Sequence, residues 1–400
     1  MSDRLHSAAT AVRERFGPGE STARHRVAGL DGLRGLCALY VLLFHCWAYT
    51  FRGSSPGSGP LWLGWLGFGR IAVVLFLILS GFSLAVSPAV RGWQLGGVGQ
   101  FARRRAWRIL PPYWAALVFS VVVALAVVRQ PHSGPPTAES VLVHGLLLQD
   151  VVSVPTPNGA FWSISVEALL YLTFPLLLAL CRRAGVVTML ACATVPVVVV
   201  GALVFGDTPP DGDNWLAPQL LPVFAAGIAA AGIVAAGDRI RRLPWLWLSM
   251  AAAAPVAALV LHQGARWTVH HYFWVDLAVA PALALFVVAV ATARPGVVVR
   301  LLCVRAMVRL GSCSYSLYLI HLPIVVAISL KVVAPRLGHG LLAFAATTAI
   351  AVPLSLISAW LFAQVFEFPF QRHRTWAALA AAASRAARIT GAGNDRYESP

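Results

Sequence analysis

Two histidines, one glutamate and a group of arginines are the residues of this chain whose types and places could do chemistry. In LDGLRGLCALYVLLFHC, residues 30–46, Arg34 and His45 stand eleven positions apart with an uncharged, mostly aliphatic stretch between them. Ionisable groups inside an apolar run of membrane length are costly in lipid, and those that persist face a protein interior or a water-filled cavity. Eleven residues is close to three whole helical turns. Both groups therefore share a face, about 16 Å apart at 1.5 Å per residue. His321, twelve positions after Arg309 in GSCSYSLYLIHLP, repeats that geometry. Glu167 follows Phe161 by six residues in FWSISVEALLYLTFP, which places it about 9 Å into a helix running the opposite way. Histidine moves a proton near neutral pH and serves as general acid or base. His45, Glu167 and His321 thus read in two ways: as a structural polar cluster whose members satisfy one another, or as a catalytic site inside a bundle.

The second cluster is RRRAWRILPPYW, residues 103–114, with Arg103, Arg104, Arg105 and Arg108. Positive charge at the inner face of a membrane protein accounts for part of it. Guanidinium groups also take phosphate through two parallel hydrogen bonds, and Arg105 and Arg108, three apart, share a helical face. Pro111 and Pro112 are expected to end an interfacial helix and mark the start of a span. Arg34, Arg104, Arg105 and Arg108 are the candidate binding residues for a phosphorylated donor. Its reactive end must then reach about 16 Å inward to His45, a span that suits a long thin arm such as phosphopantetheine.

Those residues need a scaffold, and composition names it. The chain has 400 residues, 58% hydrophobic and 12% charged, with mean hydropathy +0.74. Soluble domains carry about 25% charged residues, so this is an integral membrane protein. The net charge of +16 does not point to nucleic acid, because the arginines sit in short clusters between apolar runs. At about twenty apolar residues per crossing, ten spans are predicted, at 33–50, 68–88, 111–128, 161–181, 186–205, 216–236, 244–262, 272–293, 310–332 and 341–366. Prolines fall inside many of them and are expected to kink helices. The Lys and Arg distribution places both termini in the cytoplasm. The fold expected is an all-α, polytopic transmembrane helix bundle: a cytoplasmic tail over 1–29, a membrane domain over 30–372 and a cytoplasmic tail over 373–400, with a basic surface helix at 375–390. Residues 1–29 are polar and arginine-rich, so the first helix reads as a retained anchor. The outer segment 139–150 is too short to cross and reads as re-entrant or interfacial. The six cysteines have no metal-ligand or CxxC spacing, so no metal site and no disulfide framework are expected.

Six blocks together resemble the integral-membrane acyltransferase family 3. They are LDGLRGLCALYVLLFH with Arg34 and His45; VLFLILSGFSL with Phe76, Ser80, Gly81 and Phe82; RRRAWRILPPYW; FWSISVEALLYLTFPLLL with Glu167; GSCSYSLYLIHLPI with His321; and FEFPFQR, all in order over residues 30–372. Two positions depart from the family's pattern. Ala168 follows Glu167 where a second glutamate is common, and Phe368 stands where a lysine is common, so Glu367 is read as structural.

The resemblance implies a membrane acyltransferase moving an acetyl or similar group from acyl-CoA, a co-substrate rather than a resident cofactor, to a hydroxyl of a glycan, glycolipid or secondary metabolite. His45 would be general base or transient acyl carrier, with Glu167 or His321 orienting it. Trp162, Ser163 and Tyr315 are candidate substrate-lining residues. Cys46, about 100° round the helix from His45, is expected to face elsewhere. Partners are acyl-CoA, the hydroxyl acceptor and the bilayer, with no nucleic acid. Alanine richness and arginine in place of lysine suggest a high-GC bacterium and its inner membrane. The rival class is a proton-coupled transporter or flippase of a lipid or glycan, with the buried histidines and glutamate as proton relay; no inverted repeat supports it.

Overall fold

The computed structural model describes residues 27, 29–51, 59–204, 217–293 and 295–373. The proposed helix at 375–390 and the outer-loop residues 52–58 lie outside them. All regular structure among the described residues is helical. Eight segments are long and apolar enough to cross a membrane, and Leu220–Ala235 is a shorter apolar helix. One of the eight, Gly159–Val204, is broken at Gly185 (φ 86°, ψ 167°) into two. Ten apolar helical segments thus stand where ten were expected. We label those that matter here α1 (Leu30–Ala48), α2 (Gly69–Val90), α3 (Val98–Ala126), α4 (Ala138–Gly145), α5 (Trp162–Val204), α6 (Leu220–Ala235), α7 (Trp245–His270), α8 (Tyr272–Ala291), α9 (Arg305–Ser312), α10 (Ser314–Ala327) and α11 (Leu341–Phe362).

Helices in lipid gain stability from close packing, which favours small residues at their crossings. Two crossings fix this bundle. At the start of α1, Cβ atoms on Gly32 and Gly35 would lie 2.0 Å from the Leu302 carbonyl oxygen and 2.7 Å from the Gly311 nitrogen. One on Gly311 would lie 1.8 Å from the Asp31 carbonyl oxygen. The glycines of LDGLRGL therefore let α1 lie backbone to backbone on Leu302 and the end of α9. Between α2 and α6, Gly81 and Gly227 play the same part, against the Phe224 and Ile78 carbonyls at 2.3 and 2.2 Å.

The prolines at 111 and 112 do not end a helix. α3 runs unbroken through both, so Arg103 to Arg108 belong to the first turns of a membrane helix rather than to a separate interfacial one. Proline costs the helix its bond to the carbonyl four residues back. Just before the prolines, the Tyr315 hydroxyl of α10 donates to the Ile109 carbonyl (3.2 Å). After α11 the chain takes a π turn over Ala363–Glu367 before Phe368–Arg372, with Pro369 in that last helix. π turns of this kind re-aim a side chain, and the side chain here is Glu367.

The segment between α3 and α5 is built, not loose. α4 starts with a reciprocal cap between Thr137 and Ser140, each side chain taking the other's backbone N–H. Asn158 Nδ2 donates to the Leu319 carbonyl (2.9 Å) and to Ser120 Oγ (3.2 Å), tying the entry of α5 into the bundle.

In the same segment Asp150 is 5% exposed and its Oδ2 has no hydrogen-bond partner. Burial pushes its carboxyl up from an ordinary 3.8 to about 6, against the opposing pull of Ser165. An acid whose pKa is raised on folding supports the fold fully below its unfolded value, and that support is lost as pH rises through the folded value. Two units correspond to about 3 kcal/mol at most. Asp150→Asn should therefore melt at a higher temperature than wild type at pH 7.5, with the gap closing as pH is lowered towards 4. A gap that stays constant across that range would rule out titration of Asp150 as its source.

Candidate active site

Arg34 points from the second turn of α1 into a cavity of about 520 Å³ walled by α1, α2, α3, α5, α9, α10 and the final helix. Along α2 its lining runs from Val73 to Leu84, about 16 Å of helix. Arg34 donates to Asp31 Oδ1 (3.1 Å) and to Ser83 Oγ. The Arg105 guanidinium lies 5.8 and 5.9 Å from the ring centres of Phe101 and Tyr171, within reach of cation–π attraction. Arg108 lines the same space. Arg104 does not. It lines a side pocket of about 110 Å³ with Arg103, Trp107 and Gln371, which Arg105 and Arg108 also border. The arginine surface is thus continuous from the side pocket into the main cavity.

Two carboxylates besides Asp31 face that cavity. Glu167 Oε1 accepts from Ser80 Oγ (2.7 Å) and from the Tyr171 hydroxyl. Glu367, 3% exposed, accepts from the Ser316 N–H (3.2 Å) and hydroxyl and from Gln371 Nε2 (2.8 Å). Its structural role is evident, but it also lines the cavity. Ser163 and Tyr315 line it too. Tyr171 was not singled out from sequence, although its place four residues after Glu167 puts the two on one helical face.

The histidines form a separate pair. His321 Nε2 lies 3.2 Å from His45 Nδ1, and the rings are 5.0 Å apart. His321 Nδ1 lies 3.1 and 2.8 Å from the Leu317 and Tyr318 carbonyl oxygens. Carbonyl oxygens only accept, so this nitrogen carries the proton and neutral His321 presents a bare Nε2. His45 Nδ1, between that nitrogen and the Val41 carbonyl at 2.8 Å, must then be the donor. His45 Nε2 is left with an unused lone pair. His321 is 1% exposed, whereas His45 is only partly buried. Cys46, by contrast, is fully buried in the core.

The structure thus brings His45 and His321 together and places Glu167 elsewhere. The reason lies in where α5 begins. Asn158 bonds the Leu319 carbonyl, two residues from His321, so α5 enters the bundle at the level of the histidines. Every residue counted inward from Phe161 is correspondingly deeper. Glu167 falls in the cavity wall, and Ser163 of α5 meets the Tyr318 hydroxyl at 2.6 Å.

Trp162 does not line the cavity. Its ring lies 4.9 Å from the Arg70 guanidinium, with Tyr272 at 5.0 Å. Arg70 Nε and Nη2 both reach Asp276 Oδ2 at 2.9 Å. Gln219 Nε2 lies 3.5 Å from the same oxygen, and Asp276 is 1% exposed. Neither Arg70 nor Asp276 was singled out from sequence. A lone acid inside YFWVDLAVAPALALF was the available signal, since such a residue needs a partner.

A model of the acyltransferase domain family 3 matches residues 27–363. The chain belongs to that family. It is 28% identical to the acyltransferase MdmB of Streptomyces mycarofaciens over 337 residues, 79% of this chain and 81% of that protein. No solved structure matches it. The protein is therefore a multi-pass membrane acyltransferase.

Breaking a buried ion pair by removing one partner strands the other charge and costs about 3–5 kcal/mol. Asp276→Ala should lower the melting temperature of the purified protein strongly, while Arg70→Ala in the same background should recover part of the loss. A double variant no more stable than Asp276→Ala would show that the stranded charge is not the cause.

Proposed function

We propose that the protein transfers an acetyl or similar short acyl group from acyl-CoA to a hydroxyl of a glycan, glycolipid or secondary metabolite at a bacterial inner membrane. The observation that carries this reading is the alignment of two sites: an arginine-lined cavity about 16 Å long, and a histidine with a free ring nitrogen one residue layer beyond its end. Arg103 and Arg104 in the side pocket, with Arg105, Arg108 and Arg34, would hold the phosphates of CoA. The narrow cavity would take its pantetheine arm, with the cytoplasm on the arginine side. Glu167 and Glu367 would meet the amides of that arm through hydrogen bonds rather than take part in the chemistry.

His45 is assigned as general base. Its bare Nε2 takes the proton of the acceptor hydroxyl as that oxygen attacks the thioester carbonyl. The C–S bond then breaks, and the leaving thiolate takes the proton back from Nε2, giving ester and free CoA. Between those steps His45 is an imidazolium, and His321 Nε2, aimed at the His45 Nδ1–H, accepts from it more strongly than from neutral imidazole. His321 thus positions His45 and steadies its charge.

His45→Ala should abolish transfer while leaving the melting temperature and acetyl-CoA binding near wild type; retained turnover would remove the central assignment. His321→Ala should lower kcat far more than it raises the donor KM. A covalent acetyl group trapped on His45 would replace the base with an acyl carrier. Arg105→Ala and Arg108→Ala should each raise the donor KM with little effect on kcat, the mark of lost ground-state binding. Lysine should restore only part, since it lacks the planar fork. Unchanged donor KM in both alanine variants would assign these arginines to topology.

A further inference from the structure

The cavity and the histidine pair are not open to one another. Tyr318 lines the cavity, and neither histidine does. Three residues before His321, Tyr318 presents its ring 5.7 Å from the imidazole, as residues three apart on one helix do. Its hydroxyl is 2.6 Å from Ser163 Oγ. On the cavity side the Phe76 ring meets it edge-on at 6.0 Å. The partition between the two sites is thus one side chain thick, and it is fastened by one hydrogen bond between two hydroxyls. The cavity gives the tyrosine ring space to turn into, whereas on the other side it rests on His321. A single bond between two neutral hydroxyls is also a weak latch.

We infer that Tyr318, latched to Ser163 and backed by Phe76, is the residue that selects the acyl group: the group must pass it to meet His45, and the gap between the turned ring and Phe76 admits short acyl chains and stops long ones. This rests on the acyl-CoA reading above. Phe76 sets the size of the gap because its ring is the bulky part of the cavity wall packed against the tyrosine. The latch sets how often the gap opens when no acceptor is waiting. A closed partition keeps the thioester from His45 and from water until then, so the latch also protects the donor from hydrolysis.

The test uses the purified full chain in detergent with acetyl-, butanoyl- and octanoyl-CoA. Binding is read from thermal stabilisation, and free CoA released with water as acceptor is read by mass spectrometry. Wild type should bind acetyl-CoA more tightly than octanoyl-CoA. Phe76→Ala should shift the ratio of the two dissociation constants at least tenfold towards octanoyl-CoA, and Phe76→Leu, which keeps more of the packing, should shift it in the same direction. Tyr318→Phe keeps the ring and removes the latch. It should bind acetyl-CoA as wild type does and release free CoA at least fivefold faster, a gain that should disappear when His45→Ala is added. An unchanged ratio in both Phe76 variants, release at the wild-type rate in Tyr318→Phe, or a gain that survives loss of His45 would each overturn the inference while leaving the donor reading intact. If acetyl-CoA does not stabilise the wild type, the donor reading falls and the inference falls with it.

Discussion

The start of α1 can lie where it does only because three glycines remove the atoms that would block it. Gly32, Gly35 and Gly311 let the helix touch Leu302 and the end of α9 at backbone distance. In lipid such contact is a main source of adhesion between helices, since burying leucine against leucine gains little over leucine against acyl chains. Everything chemical hangs from that contact. It fixes the rotation of α1, which points Arg34 at Ser83 and the cavity, and eleven residues later points His45 at His321. An added methyl at any of the three glycines would meet a backbone atom rather than a flexible side chain. It would therefore move the rod and both of its functional groups together.

The buried polar groups sort themselves by partner. Glu167 is satisfied by hydroxyls of Ser80 and Tyr171, Glu367 by Ser316 and Gln371, Asp276 by Arg70, and the histidines by carbonyls and each other. Groups with several donors around them are held still, and stillness is what a binding wall needs. His45 keeps an unused lone pair on a partly exposed ring. In a medium where unpaired polar atoms are costly, a nitrogen left free beside an ordered partner is the natural candidate for the reacting group.

Much of this was legible in the residues. Apolar run lengths gave the ten segments, and the interval from Arg34 to His45 gave their shared face. The second histidine was found because its spacing from Arg309 matches the first. Glu167 was misplaced because a count from Phe161 assumes that the helix begins at the membrane surface, and only Asn158's bond to Leu319 reveals that it begins at the level of the histidines. Trp162 lies outside the cavity because it packs on Arg70, 92 residues earlier in the chain, and no local pattern ties them. The prolines of α3 misled for a related reason. Their cost is certain from sequence, but the tertiary packing that lets the helix run through them is not.

α1 is also a straight rod without proline, while α3, α5, α7, α8, α10 and α11 each carry one or more inside. The distance from the Arg34 cation to the His45 imidazole is therefore set by peptide geometry and not by how neighbours bend. It behaves as a ruler. The kinked helices around it can shift to widen or narrow the chamber, and their side chains can diverge to suit other acyl groups or acceptors. The measure between charge and imidazole stays the same whatever else changes.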